Sequence, residues 1–120
     1  MITLKIIFNS CQYLESIKIW CGKRFLNEKE VLKTVVKYSP KNFYELKLYN
    51  VSNSELLPKD LESFFISWKN RIPKKSFSLK IVKHRRCNSL ELNEENMKII
   101  EKYKNLDQCC YYVYGGKSHC

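Results

Sequence analysis

Acidic residues, glycine, proline and histidine are all scarce in this chain of 120 residues. Twelve Asp and Glu stand against 22 Lys and Arg, and there are three Gly, three Pro and two His. So little Gly and Pro excludes a collagen-like or flexible low-complexity chain. No apolar run approaches the ~20 residues that a membrane-spanning helix needs, so no membrane partner is expected. Met1 to Phe8 is apolar, but it is too short for a signal peptide and already contains Lys5. There is no glycine-rich phosphate loop and no interpretable carboxylate pair. The two histidines, His84 and His119, fall in loop and tail. Nothing beyond residue type supports a Cys–His nucleophile. The chain therefore reads as non-enzymatic and free of cofactors.

Six cysteines are present, at positions 11, 21, 87, 109, 110 and 120. Their spacing is irregular, so they read as reduced thiols, as in a cytoplasmic or nuclear protein. Buried thiols of this kind behave as small hydrophobes. Cys109-Cys110 with His119-Cys120 offers no C-x-x-C pair, and adjacent ligands fit a tetrahedral zinc site poorly, so no metal is assigned. The net charge of +10 attracts nucleic acid, anionic membranes and acidic protein surfaces alike. The basic residues are spread along the chain, as solubilising helix faces would be. Lys83-His84-Arg85-Arg86 is the one short basic cluster, and it reads as a solvated loop. The 44% hydrophobic content is enough for one core, in one domain or one segment of a repeat array.

A pattern repeats inside the chain. Leu14-Glu15-Ser16-Ile17-Lys18-Ile19, Phe43-Tyr44-Glu45-Leu46-Lys47-Leu48 and Ser76-Phe77-Ser78-Leu79-Lys80-Ile81 each end in aliphatic-Lys-aliphatic, at intervals of 29 and 33 residues. Such alternation is that of a half-buried strand. Helical signals lie between. Asn27 with Glu30 has the spacing of a capping box, ahead of a face at Val31, Leu32, Val35 and Val36. Pro58 suits a first helical turn before Leu61, Phe64, Phe65 and Trp68, and Pro73 closes that unit. Asn93 precedes a face at Met97, Ile100 and Tyr103. Val35, Trp68 and Ile6 each lie eleven residues before a strand aliphatic. Residues 2–9 then read as the helix of a unit whose strand is not in this chain, and 109–114 as a degenerate fourth strand. The expected organisation is repeats near 14–42, 43–75 and 76–107, that fourth strand, and a loose tail at 115–120. One strand and one helix cannot bury their own apolar face, so the units must stack. The expected fold is α/β, a solenoid with parallel strands inside and helices outside. Its uncapped ends predict marginal stability.

These segments resemble the long form of the leucine-rich repeat, L-x-x-L-x-L. Phe8 to Ile19 is similar to the unit of F-box/leucine-rich-repeat proteins, and residues 2–113 resemble the C-terminal repeats of large fungal F-box-like families. The resemblance implies substrate recognition for ubiquitylation. No F-box is found in these residues, so binding to a ligase adaptor is not expected. The asparagine that usually follows the strand motif is missing too: Gly22, Val51 and His84 stand there. The third unit opens with Ser76 in place of an aliphatic.

Residues between the strand aliphatics face away from the helices. Aligning the three strands puts Lys18, Lys47 and Lys80 in one row and Trp20, Tyr49 and Val82 in the next. Tyr114 joins the second row if the fourth strand forms, and Ser16, Glu45 and Ser78 form a flanking row. Lysines stacked about 4.8 Å apart repel one another. The expected use of such a concave stripe is to hold an acidic segment of a protein partner. Lys18, Trp20, Glu45, Lys47, Tyr49, Ser78 and Lys80 are the candidate contacts. The bland alternative is that the lysines splay into water. Lysine with aromatics also suits single-stranded nucleic acid. Lys outnumbers Arg, however, and no recognised nucleic-acid motif is present.

Overall fold

In the computed structural model, which describes residues 2–71, 76–83 and 86–115, strands and helices alternate along the chain. The helices are α1 (Ile2–Ser10), α2 (Glu28–Tyr38), α3 (Pro58–Lys69) and α4 (Glu94–Asn105). The strands are β1 (Ser16–Cys21), β2 (Glu45–Asn50), β3 (Phe77–Lys83) and β4 (Cys109–Gly115). A 3-10 turn at Leu90–Leu92 precedes α4. The four strands form one parallel sheet in chain order, and consecutive helices pack side by side. The class is α/β, and the fourth strand is formed. The expected tail falls largely outside the described residues, as does Pro73.

The core lies between sheet and helices. Leu46, Leu48, Leu79 and Ile81 meet Val31, Val35, Leu61, Phe65 and Ile100, all buried. The caps explain where helices begin. The Asn27 side chain accepts from the Glu30 amide at 3.2 Å, and Asn93 accepts from Glu95 and Asn96. The reciprocal half of the capping box is not made, since the Glu30 carboxylate turns to Lys33 at 4.0 Å.

The eleven-residue spacing holds in three units, where Val35, Trp68 and Ile100 are all buried. It fails in the first, where Ile6 is 56% exposed and Leu4 and Phe8 are buried instead. Leu4 and Phe8 lie one turn apart on one face, while Ile6 stands about 200° round the helix from either. Phe8 meets Phe43 edge-on at 5.2 Å, which fixes the rotation of α1 against the second unit. The weak opening of the third unit is repaired one residue on. Ser76 is exposed, and Phe77 is wedged between Phe64 and Trp68 at centroid distances of 4.9 and 4.8 Å.

The missing asparagine ladder is replaced by a patchwork along the C-terminal ends of the strands. Val51 donates its amide to Cys21, Lys23 donates to Ser52 Oγ, and Asn88 donates to Asn53 Oδ1 at 2.7 Å. Fully buried Asn96 donates to the carbonyls of Leu56 and Leu90. Gly22 sits at φ +129°, and a Cβ there would stand 2.5 Å from Ser52 Oγ. A residue with a side chain is excluded by both strain and contact.

Two polar groups bind neighbouring units together. The Arg71 guanidinium lies over the Trp68 ring at 4.5 Å. It donates to Ser39 Oγ and to the carbonyls of Ser39 and Pro40 at 3.0 and 3.2 Å. It thereby satisfies acceptors at the end of α2, where helix carbonyls lack partners. Glu28, buried at the start of α2, accepts from Ser54 Oγ at 2.6 Å. Burial pushes its carboxyl up, and hydrogen bonds from Ser54, Asn50 and the Glu55 amide only partly offset that. Glu28 Oε2 and Asn50 Oδ1 are both buried without a hydrogen-bond donor.

Two measurements follow. Arg71→Lys, which replaces a stacked fork by a point charge, is expected to cost about 1–3 kcal/mol in denaturant melts. An unchanged midpoint would remove Arg71 from the packing of α2 on α3. Glu28→Gln is expected to raise Tm by a few degrees at pH 7.5. Folding raises the pKa of Glu28, so the native protein loses stability as pH climbs from the ordinary carboxylate value towards the raised one. The gain of the variant should therefore vanish below pH ~4. A gain independent of pH would show that the carboxyl is not the cause.

Candidate functional site

The face of the sheet away from the core carries three rows, set by strand pairing. Ser16, Glu45, Ser78 and Cys110 are paired across the four strands. So are Lys18, Lys47, Lys80 and Tyr112, and then Trp20, Tyr49, Val82 and Tyr114. This is the alignment expected from the aliphatic-Lys-aliphatic pattern, and it puts all seven candidate residues on one side of the sheet, where Glu45 and Ser78 are themselves buried and the other five are open to solvent at least in part.

The like-charged row is held by Glu45, which sits one row away on the middle of three strands. Its carboxylate accepts from Ser16 Oγ at 2.6 Å, from Lys80 Nζ at 2.7 Å and from Ser78 Oγ at 3.4 Å, with Lys47 Nζ at 3.8 Å. Burial pushes the Glu45 carboxyl up. The hydrogen bonds from Lys80 and Ser16 and the charges of Lys80 and Lys47 more than reverse this, leaving it below the ordinary range. The repulsion expected of a bare lysine ladder is thus answered at two of its three members. Lys18 has no carboxylate partner among the described residues and is exposed. Its ammonium stands 5.6 Å from the centre of the Tyr49 ring, a cation–π contact.

Aromatic rings continue the surface beyond Lys18. Trp20 stacks on Tyr49 at 4.9 Å and 25° and remains 48% exposed. Phe25, 53% exposed, leans on Trp20 at 6.0 Å. The strand pattern did not point to Phe25. It comes from the turn after β1, which the Gly22 amide closes onto the Leu26 carbonyl. A Phe directly after Gly22-Lys23-Arg24, outside the strand pattern, was the available signal. Across the sheet, Lys80 lies 5.6 Å from the Tyr112 ring.

The remaining candidates do not assemble. Cys109 is buried and Cys110 exposed, as adjacent strand positions on opposite faces should be. Burial and the neighbouring Glu28 push the Cys21 thiol up to about 12, and burial does the same for Cys109. No group of three potential metal ligands occurs among the described residues, and His119 and Cys120 lie outside them. Of the basic cluster, His84 and Arg85 lie outside the described residues, and Lys83 is near Glu91 at 4.0 Å. No described helix is long and apolar enough to cross a membrane.

No family model matches the chain, and no curated protein or solved structure is significantly similar to it.

Glu45→Gln removes the group that holds the lysine row. A loss of about 1–2 kcal/mol is expected at pH 7, reduced in 1 M salt where repulsion is screened. Because folding lowers the Glu45 pKa, its contribution is present above the ordinary carboxylate range and lost as pH falls through the depressed value. Native and variant melts should converge in acid. Identical melts at pH 7 would show that the row needs no counter-charge.

Proposed function

We propose that the chain is a leucine-rich-repeat segment whose open sheet face, concave in such a solenoid, binds an acidic segment of a protein partner. The sequential parallel sheet, the side-by-side helices and the repeating register of core and surface positions support a stacked-repeat architecture. One observation carries the binding reading: an exposed Lys18 without a carboxylate partner beside a half-exposed Trp20–Tyr49 stack. Aromatic anchors next to a cation are the make-up of interaction hot spots. The charge selects a carboxylate-bearing partner.

By its resemblance to F-box repeats, the partner is a protein presented for ubiquitylation in the cytoplasm or nucleus. The chain supplies recognition, not catalysis. The alternative is single-stranded nucleic acid stacked on Trp20 and Tyr49, which would show a steep loss of affinity with salt.

Capture from cell extract at 50 and 300 mM salt (roughly the range over which phosphate contacts weaken) with Lys18→Glu and Trp20→Ala tests this. Both side chains are exposed enough to change without unfolding the sheet. Proteins retained at high salt by the native chain and lost, tenfold or more, from both variants are the expected result. Retention of nucleic acid alone, removed by salt, would overturn it. So would protein retention indifferent to both substitutions.

A further inference from the structure

The helical side of the molecule carries a second surface, unconnected with the sheet face. A groove of about 540 Å³ runs between α2 and α3. Its walls hold Lys29, Lys33 and Lys37 from α2 and Lys59 from α3, and apolar atoms of Val36 and Phe64 line it between them. The three α2 lysines recur every fourth residue, so they stand in one row along the helix, about 6 Å apart. Asp60 is the one acidic residue lining the groove, and it lies 3.9 Å from Lys29 at one end. Lys33 has the exposed Glu30 at 4.0 Å. Lys37 and Lys59 have no carboxylate partner among the described residues.

The neighbouring α3–α4 contact is built differently. There Glu62 reaches across to Lys102 at 3.3 Å and to the Tyr103 hydroxyl, so charge is balanced within the contact itself. Between α2 and α3 the Lys29–Asp60 pair does this at one end, and Lys33, Lys37 and Lys59 are left exposed along the rest of the groove. We propose that this groove docks an acidic amphipathic helix of a partner protein. Carboxylates spaced four residues apart would meet the α2 lysines, and aliphatic side chains would lie over half-buried Val36, with buried Phe64 forming the floor. α2 has 11 residues, about 16 Å, so the occupant engages roughly three turns. A helix is favoured over nucleic acid because the lining between the lysines is apolar and the walls carry no arginine. It is favoured over a lipid surface because the apolar atoms lie within a groove and not on a projecting ridge.

The test uses the full chain and a fluorescent, side-chain-stapled peptide with Glu at every fourth position and Leu on the adjoining face. A stapled peptide of the same composition in scrambled order is the control. Lys33→Glu/Lys37→Glu changes two exposed side chains, with circular dichroism to confirm the fold. Lys37→Glu alone serves if the double variant is unfolded. Fluorescence anisotropy should show the amphipathic peptide binding at least tenfold tighter than the scrambled one. Affinity should fall at least tenfold in the groove variant and stay unchanged in Lys18→Glu. Equal binding of the two peptides would overturn the proposal, as would indifference to the lysine substitutions or no binding at all. It would also fall if anionic phosphatidylserine vesicles or a single-stranded oligonucleotide bound through Lys33 and Lys37 where the peptide did not.

Discussion

The in-register pairing of four parallel strands governs every surface of this molecule. β1, β2 and β3 each place an aliphatic pair on the side that the helices cover. Ile17, Leu46 and Leu79 share one rung, and Ile19, Leu48 and Ile81 share another. A slip of one residue would turn Lys18, Lys47 and Lys80 into the core. Burial of an unpaired ammonium is costly enough to forbid that. The same register that builds the core therefore stacks three lysines on the opposite face. The lysine row is a geometric consequence of that shared register, and Glu45 makes it tolerable.

The parts legible in the sequence were those set by period. The aliphatic-Lys-aliphatic spacing located three strands and their mutual register, and the faces of α2, α3 and α4 followed from their apolar positions. The fourth strand, Cys109 to Gly115, came from extending the eleven-residue spacing. That same spacing misplaced the inner face of α1. In so apolar a helix both Leu4/Phe8 and Ile6 qualify, and the choice falls to Phe43, far along the chain. A pattern cannot arbitrate between two hydrophobic faces when the deciding contact is tertiary.

The loops were the least legible. The asparagine that usually follows the strand motif is missing. The amides of Lys23 and Asn88 are instead served by Ser52 and Asn53, and the Leu56 carbonyl by Asn96, each from a different place along the chain. Arg71 was invisible for the same reason, since its acceptors belong to the preceding unit, more than thirty residues away. Hydrogen-bond demand is local, but the group that meets it need not be. Composition at one motif position says little about whether backbone is satisfied.

On the sheet face, positive charge is answered unevenly. Lys80 and Lys47 are drawn to Glu45, so an incoming carboxylate would have to compete with a partner already in place. Lys18 has no such competitor among the described residues. The rings beside it are already stacked, which lowers the side-chain entropy lost on binding. Attraction and pre-ordering therefore coincide at the β1–β2 end of the row. A partner held here should make its energetically important contacts to Lys18, Trp20 and Tyr49, with Lys47 and Lys80 setting the sign of the field around it.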